Sequence, residues 1–123
     1  MSGGTESRLL GKWGERLVAE DLRKRGWKIK ETNYRCRMGE IDLIAEKGGY
    51  LVFVEVKLRK SSRFGQASEA VTREKQRKLH TTAELYLMEN PTSLQPRFDV
   101  AEIYAPQGMN TDKPNISYIE NAF

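Results

Sequence analysis

The run Tyr50-Leu51-Val52-Phe53-Val54-Glu55-Val56-Lys57 sets the strongest limit on how this chain folds. It is dominated by β-branched and aromatic residues and follows the turn signal Gly48-Gly49, which predicts a central β-strand. Side chains alternate faces along a strand. Val52, Val54 and Val56 therefore share one face, and Phe53, Glu55 and Lys57 share the other. The second face sets a carboxylate and an ammonium two residues apart on a strand that otherwise asks for burial. A buried unpaired charge is costly, so such groups are normally paired or bound to a metal. On this strand alone, an ion pair of Glu55 with Lys57 satisfies that demand as well as a metal does.

The preceding strand shifts the balance. In Glu40-Ile41-Asp42-Leu43-Ile44-Ala45, alternation puts Ile41, Leu43 and Ala45 on one face and Glu40, Asp42 and Ile44 on the other. Lys47-Gly48-Gly49 closes a hairpin and brings Asp42 beside Glu55 on antiparallel strands. Two such carboxylates can share a hard cation. Magnesium takes oxygen ligands, often one or two carboxylates, with water and substrate phosphate oxygens completing the shell. The ion lowers the pKa of a bound water and offsets charge developing on phosphate. Lys57 shares the strand face of Glu55 and suits electrostatic positioning of water or a phosphate oxygen.

A first helix is expected from a cap at Thr5 or Ser7 to about Arg25, with Leu10, Trp13, Leu17 and Val18 at helical spacing and Gly26 as its stop. Met1 to Thr5 is small and polar and is expected to lack structure. Gly11 and Gly14 each cost the helix about 1 kcal/mol relative to alanine, which points to close approach of another backbone. Glu15 falls at the border of the buried face and offers a third carboxylate to the metal.

Residues 27–35 read as a strand with Trp27 and Ile29 on one face, and Cys36-Arg37-Met38-Gly39 as a turn. A long helix is expected over residues 66–90, ended by Pro91, with Val71, Leu79, Thr82 and Tyr86 as its apolar stripe. Lys75 falls within that stripe and Gln76 at its edge. Each is either a polar residue reaching out from the core or a phosphate contact beside Lys57. Residues 97–104 form a further strand, where Asp99 pairs with Arg97, and residues 116–119 a short last one, with Phe123 docking as an apolar plug. The order is α-β-β-β-α-β-β. Three strands pair as a meander, and the second helix returns the fourth strand parallel to the third, right-handed by rule. The expected fold is α/β, a mixed central sheet with helices on both faces, in one domain over residues 1–123.

Cys36 is the sole cysteine and His80 the sole histidine, so neither an internal disulfide nor a cysteine–histidine zinc set can form. His80 lacks a nucleophile and an orienting acid, which argues against a triad hydrolase. No run approaches the roughly 18 apolar residues of a membrane span, and no leader-like segment opens the chain. A cytoplasmic location without membrane attachment is expected. The net charge of +4 suits an anionic partner. Arg35, Arg37, Arg59, Lys60, Arg63, Arg73, Arg77 and Lys78 sit in expected loops or helix ends around the acidic pair, as a DNA backbone requires. Arg35, Arg37, Arg59, Lys60, Arg63, Arg73, Lys75 and Gln76 are the nucleic-acid contacts expected.

Gly39-Glu40-Ile41-Asp42-Leu43-Ile44-Ala45 followed by Phe53-Val54-Glu55-Val56-Lys57 resembles the YraN family of small bacterial proteins. Gly11-X-X-Gly14-Glu15, Phe64-Gly65, Arg97-Phe98-Asp99-Val100 and Asn121-Ala122-Phe123 extend the resemblance over nearly the whole chain. That family is similar to the restriction-endonuclease-like PD-(D/E)xK nucleases, most closely to archaeal Holliday-junction resolvases. The resemblance implies a nuclease core in which Glu15, Asp42, Glu55 and Lys57 match the helix glutamate, the aspartate and the Glu-X-Lys pair. By analogy with resolvases it also implies a homodimer. Ile41 stands where many of these nucleases have proline, and no counterpart of the resolvases' substrate-shaping residues is visible, so junction specificity does not carry over.

The leading expectation is a Mg2+- or Mn2+-dependent endonuclease that hydrolyses phosphodiester bonds in DNA, including branched or flapped DNA. Its catalytic set is Asp42, Glu55, Lys57 and Glu15, with Asp42, Glu55 and Glu15 as metal ligands. The alternative is a non-catalytic nucleic-acid-binding module that keeps the fold. A third is a structural protein whose charges only form ion pairs.

Overall fold

The computed structural model describes residues 3–60 and 71–123. Five strands form one sheet in the order β1-β2-β3-β4-β5: β1 (Lys28–Cys36), β2 (Gly39–Lys47), β3 (Tyr50–Arg59), β4 (Gln95–Tyr104) and β5 (Asn115–Ile119). Only β3 and β4 run parallel; the other neighbours are antiparallel. Helix α1 (Gly3–Lys24) precedes β1, and helix α2 (Arg73–Glu89) joins β3 to β4. This is the mixed α/β sheet and the element order expected.

Among the described residues, each face of the sheet carries one helix. Val18, Ala19 and Leu22 of α1 pack on Leu43, Ala45, Val52, Val54, Ala101 and Ile103. Leu79, Ala83 and Tyr86 of α2 pack on Ile44, Leu51, Phe53, Phe98 and Val100. Phe53 is 2% exposed and stacks on Phe98, with centroids 5.3 Å apart. Burying such a ring contributes about 1.5–3 kcal/mol. Phe123 stacks on the far side of Phe98, also at 5.3 Å, so the end of the chain does close this core. His80 lies against Phe98 and Phe123 and remains exposed.

The hairpin Lys47↔Tyr50 turns on Gly48 and Gly49 with φ of 55° and 90°. Positive φ at both central residues matches the right-handed twist of the strands and favours glycine at both places.

Several expectations need correction. Helix α1 begins at Gly3, ahead of both Thr5 and Ser7. Gly11 has open space where a Cβ would stand, and at Gly14 the close neighbours are side chains, Ile103 at 3.2 Å and Leu58 at 3.4 Å, rather than backbone. Helix α2 begins at Arg73 because Thr72, in extended conformation, accepts a hydrogen bond from Lys75 N through its Oγ1. Val71, although 3% exposed, therefore packs from outside the helix. The expected residues 66–70 of that helix, and Arg63, lie outside the described residues. Strict alternation in β2 fails at Ile41, which joins Ile44 in the α2-side core instead of Leu43 and Ala45.

Candidate functional site

That failure of alternation builds the site. The β2–β3 ladder ends at Leu43↔Val54. One more step would set Asp42 opposite Glu55, but the strands part there. Val56 N donates to the Asp42 carboxylate, at 2.8 Å from Oδ2, instead of to a β2 carbonyl. Beyond this point β3 keeps its parallel pairing with β4 through Arg59↔Tyr104, so the opening is confined to the β2 side. Asp42 thus serves as the last rung of the ladder and presents its carboxylate at the mouth of a cleft.

Glu55 is 6% exposed, one of few buried charges. Two ammonium groups compensate it on the same oxygen. Lys75 Nζ, from the first turns of α2, is 2.6 Å from Oε2. Lys57 Nζ is 3.5 Å away. The ion pair foreseen between Glu55 and Lys57 is therefore present, but Lys75 makes the closer contact. Lys75 gets there because Thr72 fixes the start of the helix and the side chain leaves the α2 stripe toward β3. It is not buried, as its place in the stripe implied, but 45% exposed. Burial works against its charge, while the hydrogen bond and attraction of Glu55, with Asp42 behind, hold its pKa above the usual lysine value.

Asp42 is pushed up to about 8. Burial is the largest cause, followed by the charge of Glu55. The Val56 N–H works in the opposite direction, and Glu15 adds its charge and a side-chain hydrogen bond. Glu15 thus reaches Asp42 from α1, on the other face of the sheet, as its position at the border of the helix core suggested. Three carboxylates gather around the opening between β2 and β3, with two lysines on one of them.

A cavity of about 360 Å³ lies over Asp42 and Glu55, walled by Gly39 and Glu40 of β2 and by Thr72, Glu74, Lys75, Lys78 and Leu79. Among the described residues, no three acidic, cysteine or histidine side chains stand ready as a metal cage. The donors still fit a hard divalent ion of the magnesium type, which needs only one or two carboxylates. An Asp42 whose pKa is pushed up to about 8, first by burial and then by its acidic neighbours Glu55 and Glu15, marks a place where a cation would relieve repulsion.

The remaining expected contacts divide into two groups. Arg37, Lys60 and Arg73 are exposed, and no ion pair of theirs occurs among the described residues. Arg35 instead pairs with Glu40 at 3.1 Å, and Arg59 with Glu102 at 2.7 Å. Gln76 turns its amide back to Val71 O at 2.9 Å, away from the carboxylates. Asp99 holds Arg97 through two hydrogen bonds of 2.9 and 2.8 Å, the structural pair expected. Lys78, already named among the basic residues around the acidic pair, enters the cavity wall, and Thr72, Glu74 and Leu79 enter it without having been named as site residues.

Residues 14–103 match the model of the uncharacterised protein family UPF0102. The chain belongs to the UPF0102 family. The matched span takes in Glu15, Asp42, Glu55, Lys57 and Lys75. A UPF0102 protein of Syntrophomonas wolfei is 48% identical over 118 residues, covering 95% of this chain and 99% of that one. One of Symbiobacterium thermophilum is 47% identical, with 95% and 98% covered. One of Caldanaerobacter subterraneus is 46% identical, with 93% of each chain covered. Site and core of this UPF0102 chain thus lie within a length of sequence shared with its relatives. No helix among its described residues is long and apolar enough to cross a membrane.

Proposed function

We propose that this UPF0102 chain is a metal-dependent DNA endonuclease of the restriction-endonuclease-like kind. The observation that carries the reading is the opening between β2 and β3, where Asp42 and the buried Glu55 face one cavity and Lys75 and Lys57 close on Glu55. A binding surface for DNA alone gains nothing from carboxylates turned toward phosphate. A hydrolase gains a seat for Mg2+ or Mn2+.

Asp42 and Glu55 would hold the ion, with Glu15 supporting from the Asp42 side. Once bound, the ion would supply water activation and neutralise charge developing on the phosphate. The chain's own groups do the rest. Lys57 and Lys75 carry positive charge to the non-bridging phosphate oxygens as charge builds there. The Val56 N–H keeps the Asp42 carboxylate aimed into the cavity. Thr72 keeps Lys75 on the first turns of α2, within reach of Glu55. Arg37, Lys60, Arg73 and Lys78 offer cations to the flanking backbone. A homodimer would double this surface, as in resolvases.

One observation favours the alternative of a non-catalytic binding module: Lys75 pairs with Glu55 at 2.6 Å, on an oxygen that a metal ion would need. Incubation with duplex, single-stranded, flapped and four-way DNA, with Mg2+, with Mn2+ and with chelator, separates the two. Metal-dependent cleavage that disappears in Asp42→Ala and Glu55→Ala is expected. Cleavage at the level of those variants under every condition would leave the binding module.

A further inference from the structure

A second groove opens on the other side of the carboxylates, about 480 Å³ in volume, between α1, β1 and the loop after β4. Glu15 lies in its wall, and Glu15 reaches Asp42, which lies in the wall of the first cavity. The two grooves therefore meet at the acidic cluster, one on each face of the sheet. Their linings differ. The first is walled mainly by polar and charged groups. The second combines Lys12 and Arg16, one turn apart on α1, with Leu9, Met109 and Leu43.

Leu9 is 51% exposed and Met109 is 50% exposed. They are two of the five large apolar side chains exposed among the described residues, and both edge this one groove. Lys12 and Arg16 are exposed and make no ion pair among the described residues. Arg8, one turn before Lys12, continues the same basic face. Arg25, Lys30, Arg35, Arg59 and Arg97 have carboxylate partners, whereas Lys12 and Arg16 share with Arg37, Lys60 and Arg73 the lack of an ion pair among the described residues.

Cations and exposed apolar groups in one groove match a ligand that is both anionic and apolar at the same level. A paired duplex presents phosphate and sugar outward and keeps its base faces stacked. An unpaired strand presents phosphate and bare base faces together, and proteins hold it with a basic track plus apolar side chains, most often aromatic ones on which the bases stack; here the apolar side chains are the aliphatic Leu9 and Met109. Apolar wedges such as leucine and methionine also insert between base steps and unstack them.

We infer that the α1 groove receives the unpaired strand of a flapped or branched DNA, with the phosphate at its junction delivered to the carboxylates between the grooves. The inference rests on the nuclease reading for the purpose of the groove and names the substrate class of that site. Lys12 and Arg16 contact phosphates of the single strand, and Leu9 and Met109 cover its first bases. Duplex binding stays on the α2 side.

The test measures binding in chelator, so that cleavage plays no part. Fluorescently labelled blunt duplex and the same duplex carrying a ten-nucleotide flap are titrated by anisotropy with the full chain. The wild type is expected to favour the flapped DNA about tenfold. Leu9→Ser with Met109→Ser, both at exposed positions, removes that preference and leaves duplex affinity unchanged. Lys12→Gln with Arg16→Gln lowers the salt slope for the flapped DNA by about 1.4, at roughly 0.7 for each contact to a single strand. An unchanged ratio of flap to duplex affinity in both double variants overturns the inference. So does a shift from dimer to monomer in Leu9→Ser with Met109→Ser at unchanged flap affinity, which assigns the face to a second copy of the chain. The two proposals fail separately. Cleavage by wild type with an unchanged ratio in the variants removes only the groove; a flap preference lost in the variants without wild-type cleavage removes only the nuclease.

Discussion

The Lys75 ammonium stands 2.6 Å from the Glu55 carboxylate, joining α2 to β3 at the one place where β2 has drawn away. It occupies an oxygen that a divalent ion would need. Lys75→Met should therefore raise the Mn2+ affinity of the DNA-free chain several-fold in calorimetry. It should also weaken DNA binding, because the same charge is lost to phosphate. The Lys75 side chain is 45% exposed but Glu55 is only 6% exposed, and Lys57 stays 3.5 Å from it, so a stability loss of about 1–3 kcal/mol is expected. Unchanged metal affinity would show that Lys75 does not compete for the seat.

The stability of the metal-free chain should fall as pH rises from about 4 to about 8. The Asp42 carboxyl titrates near 8 when folded, against 3.8 in the free group. Across that window the folded chain keeps a proton that the unfolded chain gives up, so raising the pH favours unfolding. Each unit of difference corresponds to about 1.4 kcal/mol, so a fall of at least 1 kcal/mol between pH 5 and pH 8 is expected. Asp42→Asn should flatten the dependence, since an amide does not titrate and its oxygen can still accept from Val56 N. Denaturant melts of both chains at several pH values in chelator check this, and parallel slopes would contradict it.

On β4, where Asp99 pairs in register with Val54, Asp99→Ala should cost about 3 kcal/mol, because it takes the doubly hydrogen-bonded partner from a guanidinium that is only 14% exposed. It also removes the acceptor of Asn121 N. Arg97 would keep the exposed Glu120 carboxylate at 3.8 Å and its contacts with the Tyr50 and Trp27 rings, at 4.8 and 5.6 Å, none of which replaces two short hydrogen bonds. Metal affinity measured below the melting transition should match wild type. A change in it would tie this pair to the site.

Two glycines on α1 should respond in opposite directions. Gly11→Ala meets open space and should stabilise by about 1 kcal/mol. Gly14→Val should destabilise by about 1–3 kcal/mol, because its Cβ already stands 3.2 Å from Ile103 Cδ1 and its further methyls have nowhere to go. Gly14 precedes Glu15, so the displaced helix should also weaken metal binding. Thermal melts and Mn2+ titrations of the two variants report on both effects.

Much of the candidate site was legible because strand periodicity is local. Alternation along β3 was enough to put Phe53, Glu55 and Lys57 on one face, and Gly48-Gly49 was enough to place Asp42 beside them. The ion pair of Arg97 with Asp99 was legible from spacing alone. What alternation could not show was its own interruption at Asp42, which depends on a side chain replacing a carbonyl in the β2–β3 ladder. Nor could it show the turning of Gln76 toward Val71, which follows from where Thr72 caps α2. The α1 groove was overlooked although Lys12 and Arg16 carry helical spacing, because charges on a helix face are usually solvated and nothing in the sequence placed Met109 beside them.

The sequence by itself determined the element order, the apolar faces of the strands and the identity of the acidic and basic groups, since each follows from side-chain period and turn chemistry within a few residues. Only the tertiary structure decided which lysine lies closer to Glu55 and that Glu15 meets Asp42 across the sheet. Those contacts join residues far apart in the chain. They exist because β2 and β3 part beyond Leu43 and Val54, leaving a gap into which both helices can send a charged side chain.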